Sequence, residues 1–395
     1  MEERSSVGWI VFVFICLQFC LDFVLKRFIG LEEQQSFTIV VKLIKILFCG
    51  CLFFYIFKVK QHIGLLKNFS LLFLIFIIGR LALTKEIDFY DSRNEIRELG
   101  LYFASYLYFY FLNILPLKTN IYKTFSSVTL ILIGLICCTV LIGAIFDLSF
   151  FKTYHFRFGY MGVLHKSIVA TYFFVSSILY VYYISFVQKT YSKVFFWLIT
   201  ITALLVGTKA IYLFLVCLFG YHVFTFRLYK KKSYYSLILF VSLLVITVSY
   251  LNKAAFFTTF DVLIDVYNEH GFLTTLMSFR DQILIEKASY YLENWTVLNY
   301  LFGGKMDAIG LFEMSLIDMF VFFGAIGLLF YLYFFYLCIL HFLERQDSYF
   351  VTFAILIVLF ISIFAGQLFI NFSSMVYIGW IFYLIKLSVN QKEIN

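Results

Sequence analysis

Long apolar runs separated by short charged turns repeat along the first 250 residues, then give way to a polar stretch before three more apolar runs close the chain. Runs of about 17–25 apolar residues match the helix length needed to cross roughly 30 Å of hydrocarbon. They predict spans at 7–25, 40–57, 65–83, 99–117, 125–147, 167–187, 194–206, 209–226, 236–250, 313–339, 349–365 and 367–386, twelve in all. The runs do not alternate in polarity, which excludes a closed β-barrel. The expected fold class is all-α, a polytopic integral membrane protein with a single transmembrane domain over 1–395 and one large loop at 251–312.

The stretch 194–226 breaks the regularity. At 33 residues it is too long for one span and short for two, and Gly207-Thr208-Lys209 divides it. Two short helices meeting at that turn are expected. Irregular backbone at membrane depth is tolerated only inside protein or beside a water-filled cavity, so the turn is expected to face one.

Composition agrees with a lipid solvent. Of 395 residues 63% are hydrophobic and 14% charged, and no soluble domain has the interior to hide that much apolar surface. The net charge of +8 is read as topology signal in short loops rather than as a nucleic-acid footprint. All eight cysteines fall inside apolar runs, so neither a disulfide framework nor a metal site is implied. The N-terminal run Val7 to Leu25 has no small-residue cleavage site and is read as a retained first helix.

The clearest basic loop, Arg227 with Lys230, Lys231 and Lys232, sets the orientation if positive charge stays in the cytoplasm. Alternation then places both termini inside and puts 84–98, 148–166, the turn at Lys209 and 251–312 outside. Arg157, Lys209 and Arg280 therefore lie on the face that disfavours cations. Long outer loops carry some Lys and Arg in any case; anion binding is the competing reason to keep them. Asp22, Asp147 and Arg80 sit near span ends, within reach of the interface, and few ionisable groups fall near a midplane. That scarcity argues against ion-coupled transport.

Phosphate-loop, dinucleotide, zinc-protease and paired-aspartate motifs are all absent. Group transfer on the outer face would need a donor already activated on the membrane, such as a lipid-linked pyrophosphate. Arginine suits its departing charge, because the guanidinium fork holds two phosphate oxygens at once. Within the helix-forming segment Leu276–Trp295, Arg280 and Lys287 are seven apart and share a face that Tyr291 prolongs. Trp295 could stack on sugar, although packing accounts for it equally well. Glu313 and Asp318 are five apart and form no dyad on one helix unless the helix starts between them. Glu313 is a candidate general base, with a carboxylate complementing a helix N-terminus as the other reading. His165 and His270 are further proton acceptors. Glu313 and Gly324, eleven apart, would align on a continuous helix, where Gly324 and Gly327 make a small packing face.

Three stretches together resemble the repeat-unit polymerases of bacterial O-antigen and capsule, which are related to the O-antigen ligases. They are Arg157-Phe158-Gly159 with His165; Gly207-Thr208-Lys209-Ala210; and the late segment from Arg280 through Trp295 and Leu301-Phe302-Gly303-Gly304 to Glu313, Asp318 and Gly324-Ala325-Ile326-Gly327. They cover about 170 residues. Lys209 stands where the family more often has Arg, and His165-Lys166-Ser167 where an Asn is common. The resemblance implies a multi-pass protein of the bacterial cytoplasmic membrane acting on undecaprenyl-pyrophosphate-linked oligosaccharides in the bilayer, with no cofactor, metal or nucleic acid. It further implies that Arg157, Lys209 and Arg280 hold pyrophosphate, that Lys287, Trp295 and Asp318 support the glycan site, and that Glu313 or His165 takes the acceptor proton. A chain-length regulator and a flippase are the implied partners. A lipid-linked oligosaccharide transporter and an O-antigen ligase are the alternatives.

Overall fold

Every apolar run covered by the described residues is a helix in the computed structural model, which describes residues 3–28, 34–83, 89–115, 119–154, 158–230, 253–305, 310–340 and 348–394. In chain order the helices are α1 (Glu3–Arg27), α2 (Gln34–Lys58), α3 (His62–Leu81), α4 (Phe89–Ile114), α5 (Thr119–Ile145), α6 (Ser167–Tyr182), α7 (Lys193–Leu204), α8 (Lys209–Thr225), α9 (Lys253–Met277), α10 (Arg280–Asn294), α11 (Val297–Phe302), α12 (Ser315–Leu340), α13 (Ser348–Ala365) and α14 (Phe372–Ile394). No strand occurs among the described residues.

Seven helices of the described residues are long and apolar enough to cross a bilayer: Trp9–Arg27, Ser36–Lys58, His62–Leu81, Ile121–Ile145, Ser167–Val187, Ser315–Cys338 and Phe372–Val389. The other expected runs stand outside these seven for separate reasons. Helices α7, α8 and α13 are apolar but shorter. Helix α4 has the length, but its charges at Arg93, Glu95, Arg97 and Glu98 and its many tyrosines lower its hydropathy. The expected span 236–250 lies outside the described residues.

Two helices form the centre. From Val169 to Tyr182 α6 is buried on every side, as is α14 from Phe372 to Val389, the pattern of a helix hydrophobic all round. Around them α2 and α3 turn large apolar side chains such as Leu47, Phe54 and Leu74 outwards, where lipid is the matching solvent. Aromatic packing builds the interior, and its tyrosine hydroxyls are spent on buried acceptors. Tyr108 donates to the Val376 carbonyl at 3.1 Å, Tyr331 to the Tyr102 carbonyl at 3.0 Å, and the Trp380 indole to Thr129 Oγ1 at 3.0 Å.

The late segment expected to be one polar loop is mostly helical, as α9, α10 and α11. It is stitched into the bundle at its end. Lys305 is buried and its ammonium lies 2.7 Å from both carboxylate oxygens of Glu98 on α4, while Arg80 on α3 pairs with Glu95 at 2.8 Å and donates to the Lys305 carbonyl at 3.2 Å. Arg80 is therefore an internal strut rather than an interface residue. Asp22, also expected at the interface, is fully enclosed. Asp147 does stay exposed, held by Lys152 at 2.9 Å and by the Tyr160 hydroxyl. That hydroxyl bond, then Lys152, holds the Asp147 carboxyl below its ordinary range.

Helix α12 is not continuous. Gly324 has φ 67° and ψ −174°, which breaks the helix within the bundle. The short helix α11 and the turn after it fill the break: Gly304 N donates to the Val321 carbonyl at 3.0 Å, and Asn299 Nδ2 reaches the Gly79 carbonyl at 2.9 Å. Glu313 and Gly324 are thus not aligned on one helix, since Glu313 precedes the first turn and Gly324 interrupts the third. The break is tolerated because protein backbone, not lipid, lies against it.

Candidate functional site

The stretches singled out in the sequence meet at one end of the bundle, where α6, α8, α12 and α14 begin and α7 and α13 end. The turn between α7 and α8 packs directly on the strand-like segment 158–160. Tyr160 N donates to the Leu205 carbonyl at 2.8 Å and Thr153 Oγ1 to the Val206 carbonyl at 2.9 Å. Gly207 has φ 74°, and a Cβ there would lie 2.5 Å from the Phe158 carbonyl oxygen, so the close approach needs glycine. Thr208 Oγ1 receives a bond from Thr171 Oγ1 of α6 at 3.2 Å. Arg157 lies outside the described residues.

Lys209 opens α8 and its ammonium leaves the turn towards the late segment. It donates to the Thr275 carbonyl and, at 3.0 Å, to Ser278 Oγ. Ser278 and Phe279 both have left-handed backbone, with φ 55° and 67°, and the sharp turn they make lets α10 start at Arg280. The helix expected across Leu276–Trp295 accordingly begins four residues later than its composition suggested. Lys209 therefore pins the corner from which Arg280 projects.

Arg280 Nη2 lies 3.6 Å from Glu313 Oε2, with side-chain exposures of 16% and 51%. That spacing is longer than a bidentate hydrogen-bonded pair. The buried Nε of Arg280 has no hydrogen-bond partner among the described residues, so a guanidinium with five N–H donors keeps spare capacity for an anion. Glu313 itself sits at φ 60°, a left-handed conformation costing about 1–2 kcal/mol for a residue with a Cβ. Its backbone is held by close contact with Gly366, whose carbonyl accepts from the buried Tyr172 hydroxyl at 3.0 Å. Ser315 Oγ accepts from Leu368 N at 2.7 Å and completes this junction of α6, α12 and α14.

Helix α12 starts at Ser315, between Glu313 and Asp318, the case in which a dyad was open to them, yet the two carboxylates take separate partners. Asp318 turns back to accept from Phe312 N at 2.7 Å and Met314 N at 3.1 Å. It holds the approach to the helix and leaves Glu313 to face Arg280. Replacing Asp318 with alanine orphans two buried donors, and the expected cost is about 2 kcal/mol; thermal unfolding in detergent would read it as a lower midpoint, with Asp318→Asn intermediate.

The cationic face of α10 lies against 311–313. Lys287 Nζ donates to the Leu311 carbonyl at 2.5 Å and stands 5.8 Å from the Phe312 ring centre, and Tyr291 meets the same ring at 5.7 Å. Lys287 thus braces the segment that carries Glu313. Trp295 donates to the Gly304 carbonyl at 3.1 Å and packs edge-on to Tyr291 and Tyr300, which makes it an anchor of this small apolar cluster. His270 is exposed and contacts Glu269 at 3.6 Å and Gln282 at 3.3 Å. His165 does not join Arg280 through any direct contact; its Nδ1 lies 2.8 Å from Asp22 Oδ1 on α1. This burial of Asp22 was not legible in the sequence, because a lone carboxylate in an apolar run reads as a span end.

No family model matches this chain, and no curated protein or solved structure is significantly similar to it. By its own residues it is an all-helical protein with seven described helices able to span a membrane and, at one end of them, an arginine–glutamate centre built from three distant parts of the sequence.

Proposed function

We propose that the protein is a polysaccharide polymerase of the bacterial cytoplasmic membrane, with both termini in the cytoplasm and the Arg280 end of the bundle outside. It transfers a growing glycan from undecaprenyl pyrophosphate to the terminal sugar of an incoming lipid-linked repeat unit. The observation that carries this reading is the meeting of Arg280 with Glu313 at the corner held by Lys209, with guanidinium donors left over.

The acceptor hydroxyl attacks the anomeric carbon, its proton passes to a side-chain base, and the bond to the pyrophosphate oxygen breaks with its electron pair. Arg280 neutralises the charge that grows on the departing pyrophosphate, the kind of fixed electrostatic stabilisation that is commonly the largest catalytic contribution. Lys209 and Lys287 act here by holding the 275–279 corner and the 310–313 segment. A flippase and a chain-length regulator are the partners this activity calls for.

A transporter is the second reading, and one observation favours it: Asp22, Lys26 and Lys386 are buried within spans, more intramembrane charge than the hydropathy pattern suggested. Deletion of the gene followed by gel analysis of surface glycan separates the readings. Loss of a polymerase leaves single repeat units attached, loss of a ligase leaves none, and loss of a flippase strands the oligosaccharide on the inner leaflet.

A further inference from the structure

One buried acid at the arginine centre has no part in the transfer step. Asp281 follows Arg280 in the first turn of α10 and is only 8% exposed. Its Oδ2 accepts from the Thr274 hydroxyl of α9 at 2.5 Å, which ties the two helices across the corner at Ser278 and Phe279. A carboxylate in that turn also complements the helix N-terminus. Oδ1 is left over. It is buried and has no hydrogen-bond partner among the described residues, and a buried carboxylate oxygen without a donor is costly to keep. The neighbouring Nε of Arg280 is buried and unmatched in the same way. Consecutive Cα atoms are about 3.8 Å apart. An unmet donor and an unmet acceptor therefore stand side by side at the corner that Lys209 pins.

We infer that Asp281 is a specificity-determining residue that reads the sugar whose pyrophosphate Arg280 holds, an inference that rests on the polymerase reading above. A carboxylate accepts and does not donate, whereas a guanidinium donates and does not accept. The ligand they share must offer an acceptor and, a few bonds away, a donor. Pyrophosphate alone supplies only the first: its oxygens suit Arg280 and are repelled by Asp281. A sugar joined to phosphate supplies both, since the ring carbon next to the anomeric centre carries a hydroxyl or an acylamino N–H. Oδ1 accepts that hydrogen. The contact favours the lipid-linked glycan over bare undecaprenyl pyrophosphate at the same cation, by attraction to the first and repulsion of the second. It also assists the transfer, because hydrogen bonds at this ring position strengthen as the anomeric carbon gains oxocarbenium character.

The test measures binding of two lipids to the purified protein in detergent: undecaprenyl pyrophosphate, and the lipid-linked repeat unit extracted from the deletion strain. Asp281→Asn keeps a carbonyl oxygen for Thr274 and puts an amide NH2 where Oδ1 lay. It is expected to bind the repeat-unit lipid at least tenfold more weakly, the size of a lost hydrogen bond to a charged group. Undecaprenyl pyrophosphate should bind it as tightly as it binds wild type, or more so. Arg280→Ala is expected to weaken both. Equal losses for the two lipids with Asp281→Asn, or no loss for either, overturn the assignment and leave a carboxylate that only ties the corner. Should the Asn variant fail to accumulate, Asp281→Glu keeps the charge but moves it by one methylene; the same selective loss is expected, and an unselective one overturns the assignment. Polymer formation by wild-type protein added to deletion-strain membranes is read in parallel. Wild type that makes no polymer sinks the polymerase reading and this assignment with it, whereas polymer from wild type beside an unselective Asp281→Asn sinks the assignment alone.

Discussion

Arg280→Ala is expected to leave surface glycan as single repeat units while the protein stays folded and abundant. The expected loss is 100- to 1,000-fold in transfer rate, which is what removing one fixed charge-stabilising group from a preorganised site costs. Stability should change little. Glu313 is half exposed and remains solvated without its partner, and an ion pair at this separation contributes about 1 kcal/mol at most. Arg280→Lys keeps the charge but loses the planar fork, so an intermediate defect of about tenfold is expected. Gel analysis in a complemented deletion strain, with immunoblotting for abundance, checks both. Polymer of normal length from Arg280→Ala would remove the leaving-group role altogether.

Gly324→Ala is the largest expected effect on stability. At φ 67° any residue with a Cβ is strained, and the added methyl would run into the Leu301 carbonyl and Gly303 N. For a residue with a Cβ this extended positive-φ backbone costs about 1–3 kcal/mol and overpacking against backbone another 1–3. The total is about 2–6 kcal/mol, enough to expel α11 from the break in α12. Gly220→Ala supplies the control: the position is helical with nothing within 4 Å of the new methyl, so it should be neutral or slightly stabilising. Unfolding midpoints in the same detergent compare the two; equal midpoints would mean that the break is not held by glycine.

These two positions also mark where the sequence could and could not be read. Arg280, Lys287 and Tyr291 share a face by spacing alone, and that face does meet 311–313. The division at Gly207-Thr208-Lys209 was legible because the run was too long for one span and carried its own turn residues. Gly324 was not. Glycine inside an apolar run reads as a small packing face, and only the arrival of α11 from a distant stretch makes it a break. Trp295 looks like a sugar platform in sequence because an indole's partners, here Gly304 and two tyrosines, come from the tertiary structure. The short helices α7, α8 and α13 follow the apolar runs expected at 194–206, 209–226 and 349–365 to within two residues at each end, because turn residues bound each run in the sequence itself.

The buried pairing of Lys305 with Glu98 bears on how this protein could be re-engineered. Residues 253–305 form a contiguous late segment that could be exchanged as a cassette. A graft lacking a cation at its last position would strand an uncompensated Glu98 within the helical bundle, costing about 3–5 kcal/mol. Chimeras should therefore be designed with their junction before Lys305, so that it is retained, or with position 98 converted to an apolar residue in the same step.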